Sequence, residues 1–307
     1  MALELTGHID LPPHRGKGGF DHAALHHASG RLFVAHTAND ALDVIDCRAD
    51  QYLESIFGLR EVAGALVSDK HDLVFTSNRG ENTVSIFLPT QPTEMVRVPV
   101  GVRPNGLAYD PTHRLLLAAN VGDPAVPGSH TVSIADVPGG RMVADIPVPG
   151  RTRWAVFDPG TGQFYVNIST PPVIAVIDPS DPTRVARTQE VPVEGPHGLD
   201  LDHSTGRLFC ACDGGELVTL ETATGRVLNR LPISGVPDVV CFHPARQRLY
   251  IAVGDPGVID VIDTAAMARV ETVSSERGGK TMALDAAHDK LYVFLPESHR
   301  AAVFVDA

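Results

Sequence analysis

Residues 104–120 read PNGLAYDPTHRLLLAAN, and residues 196–212 repeat the pattern as PHGLDLDHSTGRLFCAC. In both, a short apolar segment runs into a turn built from Asp, Pro, Thr, His or Gly, and a second short segment returns from it. Segments of this length, rich in aliphatic and aromatic residues and bounded by turn formers, are strand chemistry. The apolar pair inside the second segment recurs as Leu32-Phe33, Val74-Phe75, Leu116-Leu117, Phe164-Tyr165, Leu208-Phe209, Leu249-Tyr250 and Leu291-Tyr292, at intervals of 42, 42, 48, 44, 41 and 42 residues. A loop follows each pair, then an alternating segment such as TVSIF (83–87) or VIDVID (258–263), then a stretch such as RMVADIPVPG (141–150). Nowhere does a 3.6-residue period last for the ten or so residues a helix needs. Four strands in about 40–45 residues is the arithmetic of a propeller blade. The sequence therefore predicts an all-β, seven-bladed propeller with four-stranded blades, one domain over residues 1–307.

The chain's two ends suggest how the ring closes. The seventh repeat stops at RAAVFVDA (300–307), its third strand, while the chain opens on LELTGHIDLP (3–12), which resembles the fourth-strand segments ADIPVPG (144–150) and NRLPISG (229–235). Pairing the two completes the last blade and removes an open sheet edge. Among 307 residues, 25 Lys+Arg against 37 Asp+Glu give a net charge of −12. That balance, without a basic cluster, argues against nucleic acid and against a basic membrane-surface helix. No apolar run is long enough for a membrane span. The start lacks a basic, then apolar, leader pattern, and Cys47, Cys210, Cys212 and Cys241 form no disulfide framework. The expectation is a reduced, cytoplasmic protein acting on a small molecule.

Counting from the apolar pairs locates a site. Eleven residues before each pair stand Asp21, Ala63, Asn105, Arg153, His197, Asp238 and Lys280. These positions open the innermost strand of each blade, so they should ring one mouth of the central channel, and six of the seven are polar or ionisable. Ala63 shows that folding alone does not require charge there. Convergent polar groups in a concavity are the default binding site. His22, His36 and Trp154 are candidates for supporting roles, as are Asn78 and Asn120, which end their second strands where a turn with positive φ would favour Asn. The longest interval comes from an insertion, VGDPAVPGSHT (121–131), on the same end as the ring; it is either a lid or a plain surface loop.

The repeats resemble those of the bacterial YVTN-type seven-bladed propellers, carried here by residues 104–120, 196–212, TVSIF and VIDVIDT (258–264). The ring is similar, more distantly, to that of the gluconolactonase/senescence-marker-protein and paraoxonase-like lactonase propellers. That likeness implies a divalent ion held by Asp21, Asn105 and Asp238, with Asp238 also serving as base; His197 has no counterpart there, but the donor types of the ring add it as a ligand and suit Ca, Mn or Zn. The likeness also implies hydrolysis of an activated ester, a lactone or an organophosphate-type triester. Asp238 or His197 would take a proton from water, while Arg153 and Lys280 steady the oxyanion. Two departures stand out: those lactonases have six blades, and Ala63 occupies the place of an expected Asn. Lys280, aimed into the mouth, would also repel an ion. Without the ion, the same ring reads as a small-anion-binding or scaffold propeller; with it, a metal-assisted lyase is a further alternative. No phosphate loop, dinucleotide fingerprint, HExxH or nucleophile elbow is present.

Overall fold

A computed structural model describes residues 2–307 as seven four-stranded antiparallel sheets. Six sheets are simple meanders, and the seventh joins Leu3–Asp10 to Arg300–Asp306, Lys290–Leu295 and Thr281–Asp285. The innermost strands of successive blades pack on one another, and that of blade seven packs on Phe20–His26 of blade one, which closes the ring. Among the described residues, helix is confined to two single 3-10 turns, Thr37–Asn39 and Pro92–Glu94.

The recurring apolar pair decides this architecture because its two residues point to opposite faces of the second strand. Leu32 packs with Tyr292 and Phe294 of blade seven, whereas Phe33 packs with Val62 and Val74 of blade two. Every residue of the seven pairs is at most 1% exposed. A strand buried on both faces must be apolar at successive positions, which is what the pair records. Fourth strands lie at the rim; Gln51–Phe57 is mostly exposed and accordingly irregular in sequence.

Closure by the N-terminal strand follows the expected pairing, with Leu3 opposite Asp306 and Asp10 opposite Arg300. Leu3 and Ile9 are buried, and the Arg300 guanidinium donates to the Asp10 carboxylate at 2.8 Å. No helix among the described residues is long and apolar enough to cross a membrane.

Candidate functional site at the channel mouth

The innermost strand of each of the first six blades carries a register irregularity at its start, such as between Phe20 and Ala23 or between Pro104 and Leu107. An extra residue there bends the strand and re-aims a side chain. The ring residues Asp21, Ala63, Asn105, Arg153, His197 and Asp238 sit in or beside these bulges; Lys280 directly precedes its strand, Thr281–Asp285. One position further on, blades two, three and five carry Gly64, Gly106 and Gly198. A Cβ at any of the three would collide with the carbonyl oxygen of the next blade's ring residue; on Gly106 it would lie 2.6 Å from Arg153 O. Glycine thus lets the ring residues crowd around the axis. Blades one and four instead carry His22 and Trp154, whose rings reach across the channel and stack at 3.8 Å.

The resulting cavity, about 150 Å³, is lined by Asp21, Asn105, Arg153, His197, Asp238 and Lys280, with the His22–Trp154 stack against it. Ala63 is absent from the lining, and the vacant sector is taken by Arg79, which reaches in and donates to the Asp21 carboxylate at 3.2 Å. Arg151 stands at the rim. Neither arginine belongs to the counted series.

His197 is held by a partner that the counting also missed. Its Nδ1–H donates to Asp213 Oδ1 at 2.6 Å, and this fixes the tautomer, because a carboxylate only accepts. Nε2 is then an acceptor, and Arg153 Nη1 donates to it at 3.2 Å while Arg153 Nη2 reaches Asp213 Oδ2 at 3.4 Å. On the other side Asp238 Oδ1 stands 3.5 Å from His197 Nε2, and its Oδ2 pairs with Lys280 at 3.1 Å.

Burial alone would push the Asp238 carboxyl up, but His197, Lys280 and His22 outweigh it and hold it below the ordinary carboxylate range. Asp238 in turn raises the Lys280 ammonium. Desolvation lowers His22 despite Asp21 and Asp238, so its imidazole is neutral at pH 7. Partial desolvation, and then the positive fields of Arg153, Arg79 and Arg103, pull Arg151 below its ordinary value. The mouth of this acidic protein is locally cationic.

A carboxyl depressed in the folded state stabilises it above the unfolded pKa, and that contribution is lost as pH falls through the folded value. Asp238→Asn should therefore cost roughly 1–3 kcal/mol at pH 7, the size of a charged hydrogen-bonded pair. The deficit should shrink below about pH 4. Thermal melts of both proteins from pH 7 to pH 3 check this.

Asp21, Asn105, His197 and Asp238 line one cavity but do not fit a divalent ion. Asp21 is engaged by Arg79 and Asp238 by Lys280, and among the described residues no three His, Cys, Asp or Glu side chains form a metal-ligand group. Cationic partners occupy the carboxylates that an ion would need.

The supporting residues separate into two sets. His22 and Trp154 join the mouth. His36, Asn78 and Asn120 lie instead within their own blades, fully buried, with no positive φ at any of them. Asn78 donates to Thr83 at 3.0 Å and Ser85 at 2.8 Å, and Asn120 to Thr131 at 2.9 Å and Ser133 at 2.8 Å, so both side chains tie the second strand to the third. His36 Nδ1 donates to Asp43 at 2.7 Å and its Nε2 receives His14 at 2.7 Å. Cys210 and Cys212 are buried with their sulfurs 3.8 Å apart, and all four cysteines are free. His130, at the end of the 121–131 insertion, borders a groove of about 840 Å³ that it shares with Arg151, Arg153 and Asp213.

No protein-family model matches the chain, and no curated protein does. Among solved structures it is similar to Kuenenia stuttgartiensis hydrazine synthase, with a TM-score of 0.82 over 97% of each chain at 15% identity. Likeness at that level speaks to the fold and not to the chemistry, which resides in the site. The chain is a seven-bladed β-propeller whose YVTN and lactonase resemblances gain no support from these comparisons.

Proposed function

We propose that the channel mouth captures a small organic anion, with Arg153, Arg79 and Lys280 as its partners and the His197–Asp213 pair beside it to exchange a proton. One observation carries this reading. The buried Nε atoms of Arg79 and Arg153 and the buried Oδ1 of Asn105 all belong to residues of the cavity, and none has a protein partner. Buried polar groups are costly unless satisfied, and two guanidinium donors with one amide acceptor match a carboxylate or phosphate carrying a neighbouring hydroxyl or amine. At ~30 Å³ per water, the cavity holds roughly five waters. Only a compact charged head fits inside, and the rest of the ligand extends into the groove beside Arg151 and His130.

Calorimetric titration with malonate, succinate, α-hydroxy acids and inorganic phosphate tests it. Saturable binding that weakens with salt is the expected result. Absence of binding by every anion of the set would refute the reading.

A second reading, hydrolysis of a lactone or phosphotriester, is favoured by the 2.6 Å bond that orients His197. In this scheme Nε2 takes the proton from water once the ligand has drawn Arg153 away, and Arg153 and Lys280 face the developing oxyanion. Turnover that survives chelation and vanishes in His197→Ala supports it; an enzyme silenced by chelation alone does not.

A further inference from the structure

The stacked pair His22 and Trp154 divides the channel. On its far side the channel widens into a chamber of about 530 Å³ walled by Leu66, Leu107, Tyr109, Trp154, Phe157 and Leu201. An adjoining space of about 280 Å³ against blades six and seven shares Trp154 and Asp200. The two halves differ in chemistry. The mouth is almost wholly polar, whereas this chamber sets aliphatic and aromatic walls beside the polar side chains of His22, Asp69, Lys70, Asp200 and His203.

Asp200 is the carboxylate that lines both spaces. One of its oxygens accepts the backbone N–H of Leu201 at 2.8 Å and the other that of Phe242 at 2.7 Å. Among the described residues no Lys, Arg or His forms an ion pair with it. Burial raises its carboxyl to about 6 against the pull of those two N–H groups, so the group is largely charged at neutral pH, and Lys70 of the same chamber forms no ion pair with it. The Phe242 bond ties blade five to blade six, and a purely structural role would be fulfilled by it alone. Such a role does not call for a charge, since a neutral amide oxygen accepts the same bond.

We propose that this lower chamber is a second ligand site, distinct from the anion mouth, which takes an organic ammonium with an apolar body: Asp200 is its counter-ion, the aliphatic walls hold the body, and Trp154 closes the inner end. An unpaired carboxylate beside aromatic faces is the chemistry that selects a poorly hydrated organic cation over a metal ion. The back-to-back sites, one for anions and one for cations, share the His22–Trp154 stack as their common wall.

Trp154 is the chain's single tryptophan, so intrinsic fluorescence reports on this wall without labelling. The probes are phenethylammonium and its neutral near-isostere 2-phenylethanol, titrated into the full chain at pH 7.5. The ammonium should change the emission saturably, and at least tenfold more tightly than the alcohol. Asp200→Asn, which keeps an oxygen for one backbone N–H, should abolish that preference while the unfolding midpoint moves by no more than a few degrees. Ala24→Phe, which fills the chamber without altering Asp200, should weaken both probes. Equal affinities in the parent protein, no binding of the ammonium, or a preference that survives Asp200→Asn would each overturn the proposal.

Discussion

Arg153→Met should lower the affinity of the mouth for a small carboxylate or phosphate by roughly 30- to 5000-fold, the ~2–5 kcal/mol typical of truncating one partner of a buried charged pair. Arg153 is the group on which the site turns. Its Nη1 donates to His197, its Nη2 pairs with Asp213, and its buried Nε faces no protein acceptor. Methionine preserves much of the volume and the unbranched stem, so loss of packing is a small part of the effect. Losing the guanidinium also leaves Asp213 with His197 as its only ion-pair partner among the described residues. Calorimetry with malonate or phosphate checks the affinity. A variant that binds the anion as tightly as the parent would show that the cavity's positive charge is incidental.

The second large effect concerns the ring itself. Removing residues 2–10 exposes the flank of Arg300–Asp306 and strips the cover from Ala302 and Phe304. Burial of Leu3 and Ile9 alone is worth about 1.5–3 kcal/mol each. The lost ladder of backbone bonds adds about 1 kcal/mol apiece. The sum is comparable with the ~5–15 kcal/mol that separates folded from unfolded proteins. The truncated chain should therefore lose its cooperative urea transition or unfold at a far lower midpoint. It should do so across all seven blades, which near-ultraviolet dichroism would register. An unchanged midpoint would mean that blade seven holds with three strands.

Much of the ring was legible because its signal is redundant. A pair buried on both faces of a strand has to be apolar seven times over, and no substitution pattern can disguise it. The rim strands were fainter; Val96–Pro99 and Arg187–Glu190 span only four residues each and stay largely exposed. Within the mouth, the positions that open the inner strands could be counted because the bulge holds a constant distance from the pair. Arg79 and Asp213 escaped for a simple reason. Both lie five residues after the pair, one beyond the strand-ending series His36, Asn78 and Cys212. Read at that offset, the chain gives Thr37, Arg79, Val121, Ser169, Asp213, Gly254 and Pro296, in which the two charges stand out.

Other features had no sequence signal. His14 reads as a loop histidine, and only the fold brings it onto His36. Asp200 in HGLDLD alternates as any half-exposed strand does, and nothing nearby in the chain marks it as facing the channel while Asp202 pairs with Arg207. The arginine that faces one of the expected metal ligands was likewise unmarked in the sequence. The acidic residues are where a ligand set would place them, yet the arginine that engages Asp21 comes from a different loop, where residue-by-residue correspondence with a lactonase could not register it.

The pairing that shuts blade seven also brings Ala2 beside Ala307. Ala307 N–H donates to Ala2 O at 3.3 Å, so the two ends of the described residues are neighbours and their backbone is nearly a continuous loop. A chain of this kind has no privileged starting point: joined through a short linker, it could be reopened between other blades as a circular permutant. Because Leu3 pairs with Asp306 at the end of the sheet remote from Lys280, both termini emerge on the face opposite the anion mouth. Anything fused to either end hangs beneath the ring, beside the aromatic chamber, and leaves the cationic opening clear.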